Sequence, residues 1–332
     1  MFNVKALVLI LSAFIGLTQQ SDWSYSDEAS WGGSCHGSGQ QSPINLVSQA
    51  AVTDYSGAVI RGPLEFSGYD AVDVGALNNG HTLKWKTLSG RQAPTVSGGP
   101  LEGNYTFQEF HLHWLSEHAI DGVKHPLEIH LLHAKSGYSV SEASKIENGL
   151  AVIAILFKVE SSDSCNEALR EVIPMVPGIT EPTGDVDVTN VVDLKCLLTM
   201  MLPHSRILGS DRSSYFTYEG SLTTPACTEG VTWIILDRPL AVSDEQFKLI
   251  SKADLGGQAN YRSLQPQRLP VYRSVSPASV LSDPPTLSTL FKALYAGAPV
   301  VVDSAKKEVC RLVNIKAKLL GLGTVDCDGM EF

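Results

Sequence analysis

Glu109-Phe110-His111-Leu112-His113-Trp114, followed a little further on by Glu128-Ile129-His130, is the stretch around which this chain is organised. Side chains in a β-strand alternate between its two faces, so His111 and His113 share a face, and so do Glu128 and His130. If the two segments pair as antiparallel neighbours, three imidazoles meet at one point on the sheet. Three neutral nitrogens with a fourth position open form the ligand set of a catalytic zinc, whereas a structural zinc takes all four ligands from the protein. A His-x-His pair alone is commonplace in strands. His118, His125 and His133 lie close by, so spacing alone leaves the choice of third ligand open.

The rest of the chain sets the bounds. Its 332 residues suffice for one large domain or two modest ones, with ample core. A formal charge of −10 argues against nucleic acid as a partner, because phosphates call for a basic face. Residues 1–20 stand apart: Lys5 precedes the apolar run Ala6 to Leu11, which Ala13, Phe14, Ile15 and Leu17 continue before polar Gln19-Gln20. A charged start and a short apolar core predict a secretory signal peptide cleaved near Thr18 to Ser21, and the run is short for a membrane anchor. Secretion would put Cys35, Cys165, Cys196, Cys227, Cys310 and Cys327 in an oxidising compartment, where six cysteines allow 15 connectivities. It would also make Asn104-Tyr105-Thr106 a usable glycosylation sequon at Asn104. No second apolar stretch is long enough to span a bilayer, and the C-terminus is too polar for a lipid-anchor tail, so no membrane anchor is expected.

Short apolar runs broken by turns fill the middle of the chain. Leu83-Lys84-Trp85, Phe110 to Trp114, Leu127 to His133, Leu150 to Val159 and Val231 to Leu236 alternate with Asn78-Asn79-Gly80, Ser97-Gly98-Gly99-Pro100, Asp121-Gly122 and Ser136-Gly137. Many short strands with closely spaced turns predict a mainly β domain. Helical signals are few: Ser164 to Ile173, capped by Ser164, and Ser243 to Lys252, which opens on a capping box. Beyond about Val275 the character changes. Ser276-Pro277 and Asp283-Pro284-Pro285 read as a linker, Leu287 to Tyr295 as a short helix and Val300 to Val302 as a strand.

With these motifs laid out, the chain resembles the α-class carbonic anhydrases from roughly Trp23 to Tyr272. The resemblance rests on Gln41-Ser42-Pro43-Ile44-Asn45, Asn78-Asn79-Gly80-His81, Gly98-Gly99-Pro100-Leu101 and Phe110-His111-Leu112-His113-Trp114. It continues through Ser116-Glu117-His118, Glu128-Ile129-His130, Gly220-Ser221-Leu222-Thr223-Thr224-Pro225 and Asn260-Tyr261-Arg262, all in the family's order. It implies a mainly β (α+β) fold: one domain, residues 21–274, on a large, twisted, mainly antiparallel sheet with a few short peripheral helices. Residues 275–332 would be a C-terminal extension.

The resemblance also implies reversible hydration of CO2 to bicarbonate, with zinc held by His111, His113 and His130. In that family a three-histidine zinc is known to lower its water's pKa from roughly 15.7 to about 7, equivalent to roughly 12 kcal/mol. Zinc-bound hydroxide then attacks CO2 at neutral pH. Thr223 would orient the hydroxide and pass its own proton to Glu117. His81 would carry protons out, as an exposed imidazole titrating near physiological pH, with Lys84 nearby lowering its pKa. Around the zinc, Glu128 would serve His130, the Asn260 carbonyl His113, and Glu109 His111. Leu132, Val152, Leu222, Val231 and Trp233 would line the CO2 pocket, though the same five residues suit plain β core; Thr224 would contact bicarbonate. Cys35 and Cys227 match the disulfide of secreted members, whereas Cys165 and Cys196 match no family position.

Three departures bear on activity. Glu109 stands where the family often has a neutral Gln, Leu132 is larger than the Val common there, and only Leu115-Ser116 separates Trp114 from Glu117. A non-catalytic relative on the same fold would be expected to lack a zinc histidine, and all three are here. A zinc hydrolase for esters is the other alternative, but the sequence offers no dedicated acyl site.

Overall fold

The computed structural model describes residues 23–54, 64–88, 90, 92–160, 166–199 and 214–274. The expected signal peptide, the extension after residue 274, Ser164 and Cys165 fall outside the described residues, as does the side chain of Cys196. Among the described residues the architecture is a thirteen-stranded sheet, a small three-stranded sheet and a few short helices.

The main path of the large sheet starts at the edge strand Val188–Val192 and passes through Val72–Asn78, Leu83–Thr87, Tyr105–His113, Leu127–Lys135 and Leu150–Val159. It then continues through Glu229–Leu236, Tyr215–Ser221 and Tyr272–Ser274 to Val52–Asp54. Most neighbours are antiparallel; Leu150–Val159 runs parallel to Glu229–Leu236, and Tyr272–Ser274 parallel to Val52–Asp54. The mainly β expectation therefore holds, on a mixed sheet.

Leu150–Val159 explains why its sequence is almost continuously apolar. Ala151, Ile153, Ile155 and Phe157 point into one core, and Leu150, Val152, Ala154 and Leu156 into a second core on the opposite face. A strand buried on both faces has no polar alternation to show. Each fully buried Leu, Ile or Phe contributes roughly 1.5–3 kcal/mol relative to exposure, so this strand anchors the middle of the molecule. Its neighbour Leu127–Lys135 gives Leu127, Ile129 and Leu131 to the first core, which leaves Glu128 and His130 facing the second.

The turns and caps follow the sequence closely. Between Val72–Asn78 and Leu83–Thr87, the Asn78 side chain accepts from Gly80 N (2.9 Å), and that of Asn79 accepts from His81 N (3.0 Å) and Thr82 N (2.8 Å). Gly80 sits at φ +80°, where a side chain would be strained. Helix Asp244–Ile250 is closed by the expected box, with Ser243 and Gln246 capping each other, whereas the helix expected from Ser164 appears as Asn166–Val172.

Candidate metal centre and active site

The strands Tyr105–His113 and Leu127–Lys135 pair antiparallel, with His130 opposite His111 and Glu128 opposite His113. Alternation and register together bring the three rings to one place, with centroids 5.0 Å (His111 to His113), 5.2 Å (His111 to His130) and 4.6 Å (His113 to His130) apart. One ligand atom from each lies within 4.8 Å of the others. His118, which forms a second cluster with Glu128 and His130, has both ring nitrogens engaged, by Glu128 and by Tyr218.

Each imidazole has one nitrogen held by its own partner. His113 Nδ1 donates to the Asn260 carbonyl at 2.5 Å; Asn260 is itself stitched to the strand end, its Nδ2 donating to Leu112 O (2.8 Å) and its Oδ1 accepting from Trp114 N (3.0 Å). His130 Nε2 lies 2.7 Å from Glu128 Oε1, and His111 Nδ1 lies 3.0 Å from Glu109 Oε1. The nitrogens left over are His111 Nε2, His113 Nε2 and His130 Nδ1, and His113 Nε2 is buried without any hydrogen-bond partner. Burial lowers the pKa of His111, to about 3 against the pull of Glu109, and lowers that of His113 as well. Neutral rings with outward nitrogens fixed and inward nitrogens free suit a divalent metal that prefers imidazole, and zinc fits this donor set.

Glu128 does more than the sequence suggested. Its carboxylate is fully buried, accepts from His118 N (2.8 Å) and lies 2.7 Å from His118 Nδ1 as well as from His130. Burial works against its charge, but His118 and His130 more than offset this and hold its pKa well below the usual carboxylate range. His118 Nε2 in turn meets the Tyr218 hydroxyl (2.7 Å), which donates to Ser42 Oγ (2.8 Å). Sequence reasoning gave no role to His118, Tyr218 or Ser42; the Ser116-Glu117-His118 and Gln41-Ser42-Pro43 motifs were the only signal for His118 and Ser42, and Tyr218 lies in none of the motifs.

Glu117 is buried beside the imidazoles. Its Oε1 accepts from Arg262 N (2.7 Å), while Oε2 has no hydrogen-bond partner and lies 3.6 Å from His113 Nε2 and 3.9 Å from His130 Nδ1. Neither Glu117 oxygen forms the expected hydrogen bond with Thr223: Oε1 is taken by Arg262 N and Oε2 is free. Thr223 is buried and Thr224 half-buried in the loop after Tyr215–Ser221. Trp233 Nε1, donating to Ser221 O (3.0 Å), holds the start of that loop. Its far end carries Cys227, which forms the expected disulfide with Cys35. Here the chains approach so closely that a Cβ on Gly33, at φ +69°, would lie 2.4 Å from that of Ala226. Arg262, missed as a site residue, ties the same region together through Cys35 O (2.8 Å), Ser42 O (2.8 Å) and Gln41 Oε1 (2.9 Å).

Two expectations about the proton carrier need correction. His81 is not an exposed imidazole: it is 8 % exposed, stacked on Trp23 with centroids 3.9 Å apart, and neither ring nitrogen has a hydrogen-bond partner. The pair borders a pocket of about 590 Å³ with Asp27, Pro182, Leu255 and Gln258. Burial lowers the His81 pKa, and Lys84 takes no part, since its ammonium is ion-paired with Glu109 at 2.7 Å.

Val152, Val231 and Trp233 are buried in the second core, with Leu132 and Leu222 packed half-buried against it. Trp233 stands 4.8 Å from the His130 ring, so this apolar wall adjoins the imidazoles.

A three-histidine metal centre set in the face of a large mixed sheet, beside an apolar wall, defines a mononuclear zinc enzyme. Residues 18–275 match the eukaryotic-type carbonic anhydrase family. Human carbonic anhydrase 7 is 36 % identical over 215 residues, covering 62 % of this chain and 74 % of that protein. Mouse carbonic anhydrase 4 is 31 % identical over 309 residues (85 % and 94 %), and human carbonic anhydrase 6 is 36 % identical over 254 residues (70 % and 76 %). The chain belongs to the α-class, eukaryotic-type carbonic anhydrases and is a zinc carbonate dehydratase, with CO2 and bicarbonate as its substrates.

Proposed function

We propose that this is a secreted carbonic anhydrase in which His111, His113 and His130 hold the zinc and His81, Glu117 and Thr223 serve the reaction. The observation that carries this reading is the convergence of three imidazoles, each fixed by a separate partner, beside an apolar wall. Zinc, when bound there, supplies the Lewis acidity that lets water act as a nucleophile near neutral pH.

The residues of the chain do the rest. Glu117 Oε2, buried and without a partner, is the acceptor that the Thr223 hydroxyl needs in order to donate one way and accept the other. Leu132, Val152, Leu222, Val231 and Trp233 give CO2 a wall that excludes water, and Thr224 meets the product oxygens at the polar rim. His81 takes up the proton at a ring nitrogen; its lowered pKa favours prompt release into the adjoining pocket.

Residues 1–20 serve as the signal peptide, 21–274 as the catalytic domain and 275–332 as an extension of it. The Cys35–Cys227 disulfide and the exposed position of Asn104 in its sequon support export with a glycan at Asn104. Among the described residues no helix is long and apolar enough to cross a membrane.

The test is stopped-flow CO2 hydration on the exported chain, with zinc content and intact mass determined on the same sample. About one zinc per chain, fast hydration lost in His113→Ala, and a mass showing cleavage and a glycan support the proposal. Bound zinc without hydration would remove the roles given to Glu117 and Thr223.

A further inference from the structure

Three outer partners hold the metal imidazoles, and they differ in what holds them. The Asn260 carbonyl belongs to a residue pinned by two further hydrogen bonds, and Glu128 is fully buried with three contacts to His118 and His130. Glu109 is unlike either. It is 8 % exposed, and beyond His111 its carboxylate has one ionic contact among the described residues, Lys84.

The register explains the arrangement. Lys84 lies opposite His111 and Lys86 opposite Glu109 on adjacent strands, so Lys84 shares the face of His111 and reaches diagonally to the carboxylate two residues away. Lys84 Nζ is 2.7 Å from Glu109 Oε2, and Glu109 Oε1 is 3.0 Å from His111 Nδ1. Ammonium, carboxylate and imidazole thus form a line that ends at the metal position.

We propose that Lys84 tunes the metal centre as a positioning residue acting through Glu109: its ammonium shares the carboxylate with His111 and offsets the negative charge that Glu109 brings to the zinc. The inference rests on the reading of His111 as a zinc ligand. A buried carboxylate without a counter-ion is costly, so Lys84 makes Glu109 tolerable at this depth. The remaining charge is shared: what Lys84 draws from one oxygen is not available to His111 from the other.

The two charges therefore act on a bound dication in opposite senses. Removing Lys84 leaves a less compensated carboxylate beside His111 and tightens zinc binding. Removing the Glu109 charge leaves an ammonium facing the metal and a weaker partner for His111, and loosens it. A role in folding alone would loosen zinc in both cases.

The experiment is chelator competition for zinc on the full chain, comparing wild type with Lys84→Met, Lys84→Gln, Glu109→Gln and Lys84→Met/Glu109→Gln, each checked by thermal melting for a folded state. The expected result is zinc held roughly tenfold tighter in both Lys84 variants, roughly tenfold weaker in Glu109→Gln, and within about threefold of wild type in the double variant. Lys84→Gln keeps the test alive if the Met side chain does not fold. Lys84 variants that weaken zinc, or leave it unchanged while the wild type binds one zinc, overturn this inference alone. A wild-type chain that takes up no zinc overturns the site reading and this inference with it.

Discussion

His133 should make the fold acid-sensitive independently of the metal centre, and the effect can be worked out from its surroundings. The ring is fully buried in strand Leu127–Lys135, with Nε2 sharing a 2.7 Å hydrogen bond with the Tyr69 hydroxyl and the Phe107 ring centroid 5.6 Å away. Burial lowers its pKa to about 4, with the Ala151 and Leu131 carbonyls pulling the other way. An unfolded chain exposes the same imidazole at its ordinary value of about 6.5. Between these two values the unfolded state binds a proton that the folded state refuses, so stability rises with pH across that window. The contribution is fully present above pH 6.5 and is lost as pH falls towards 4. The whole window is worth about 3 kcal/mol, of which about 2 kcal/mol is lost by pH 5.

His133→Leu removes the titrating group and keeps the site apolar. Urea unfolding of both chains at pH 7 and pH 5 isolates its share, because the zinc histidines are common to the pair. The variant should be less stable at pH 7 by about 1–3 kcal/mol, since the buried Tyr69 hydroxyl loses its partner. Its further loss on going to pH 5 should be smaller than that of wild type by about 2 kcal/mol. Equal losses in the two chains would refute the argument, whatever their absolute stabilities.

Replacing Cys35 and Cys227 by Ser opens a loop spanning 192 positions, which the chain-entropy model values at up to about 5 kcal/mol, read by the shift in urea midpoint. His81→Ala should leave zinc content unchanged and make CO2 turnover limited by proton export. Its kcat in stopped flow should then climb with buffer concentration, and a kcat equal to wild type in dilute buffer would end the proton-carrier role.

How much of this was legible in the sequence depends on the range of the interaction. The shared face of His111 and His113 was, from the period of a strand, but the choice of His130 over His118, His125 and His133 came from the family resemblance, and the register sets His130 opposite His111. The outer partners Glu109, Glu128 and Asn260 were legible too, from motifs. The fate of Lys84 was not. It sits three residues from His81, and nearness along the chain suggested that pairing, whereas across the sheet it lies opposite His111 and meets Glu109. The burial of His81 was equally hidden: Trp23, which stacks on it, comes from the N-terminal segment, remote from His81 in sequence. Its aromatic neighbours Tyr25 and Trp31 form a small cluster with the disulfide, and nothing in the local sequence ties that cluster to His81.

The short connection before Glu117 raises the question of what fixes this buried carboxylate so near the end of a strand. The answer lies on either side of it. Ser116 N donates to His125 O (2.8 Å), and Ser116 Oγ accepts from His125 N (2.9 Å). On the other side His118 N is held by Glu128, and Ala119–Ile120 is clamped between Val123–Lys124 and Asn45–Leu46 in the small sheet. Asp121 closes the hairpin from outside, its two oxygens accepting from Ser48 N and Ser48 Oγ, both at 2.8 Å. With both neighbours tied, Glu117 has little backbone freedom left, and Arg262 N fixes one of its oxygens. A longer loop would add no constraint that these contacts lack, and would add chain entropy to lose on folding. The same contacts make Glu117 and His130 parts of one assembly through Glu128, so a change at His118 should disturb the carboxylate and the metal together.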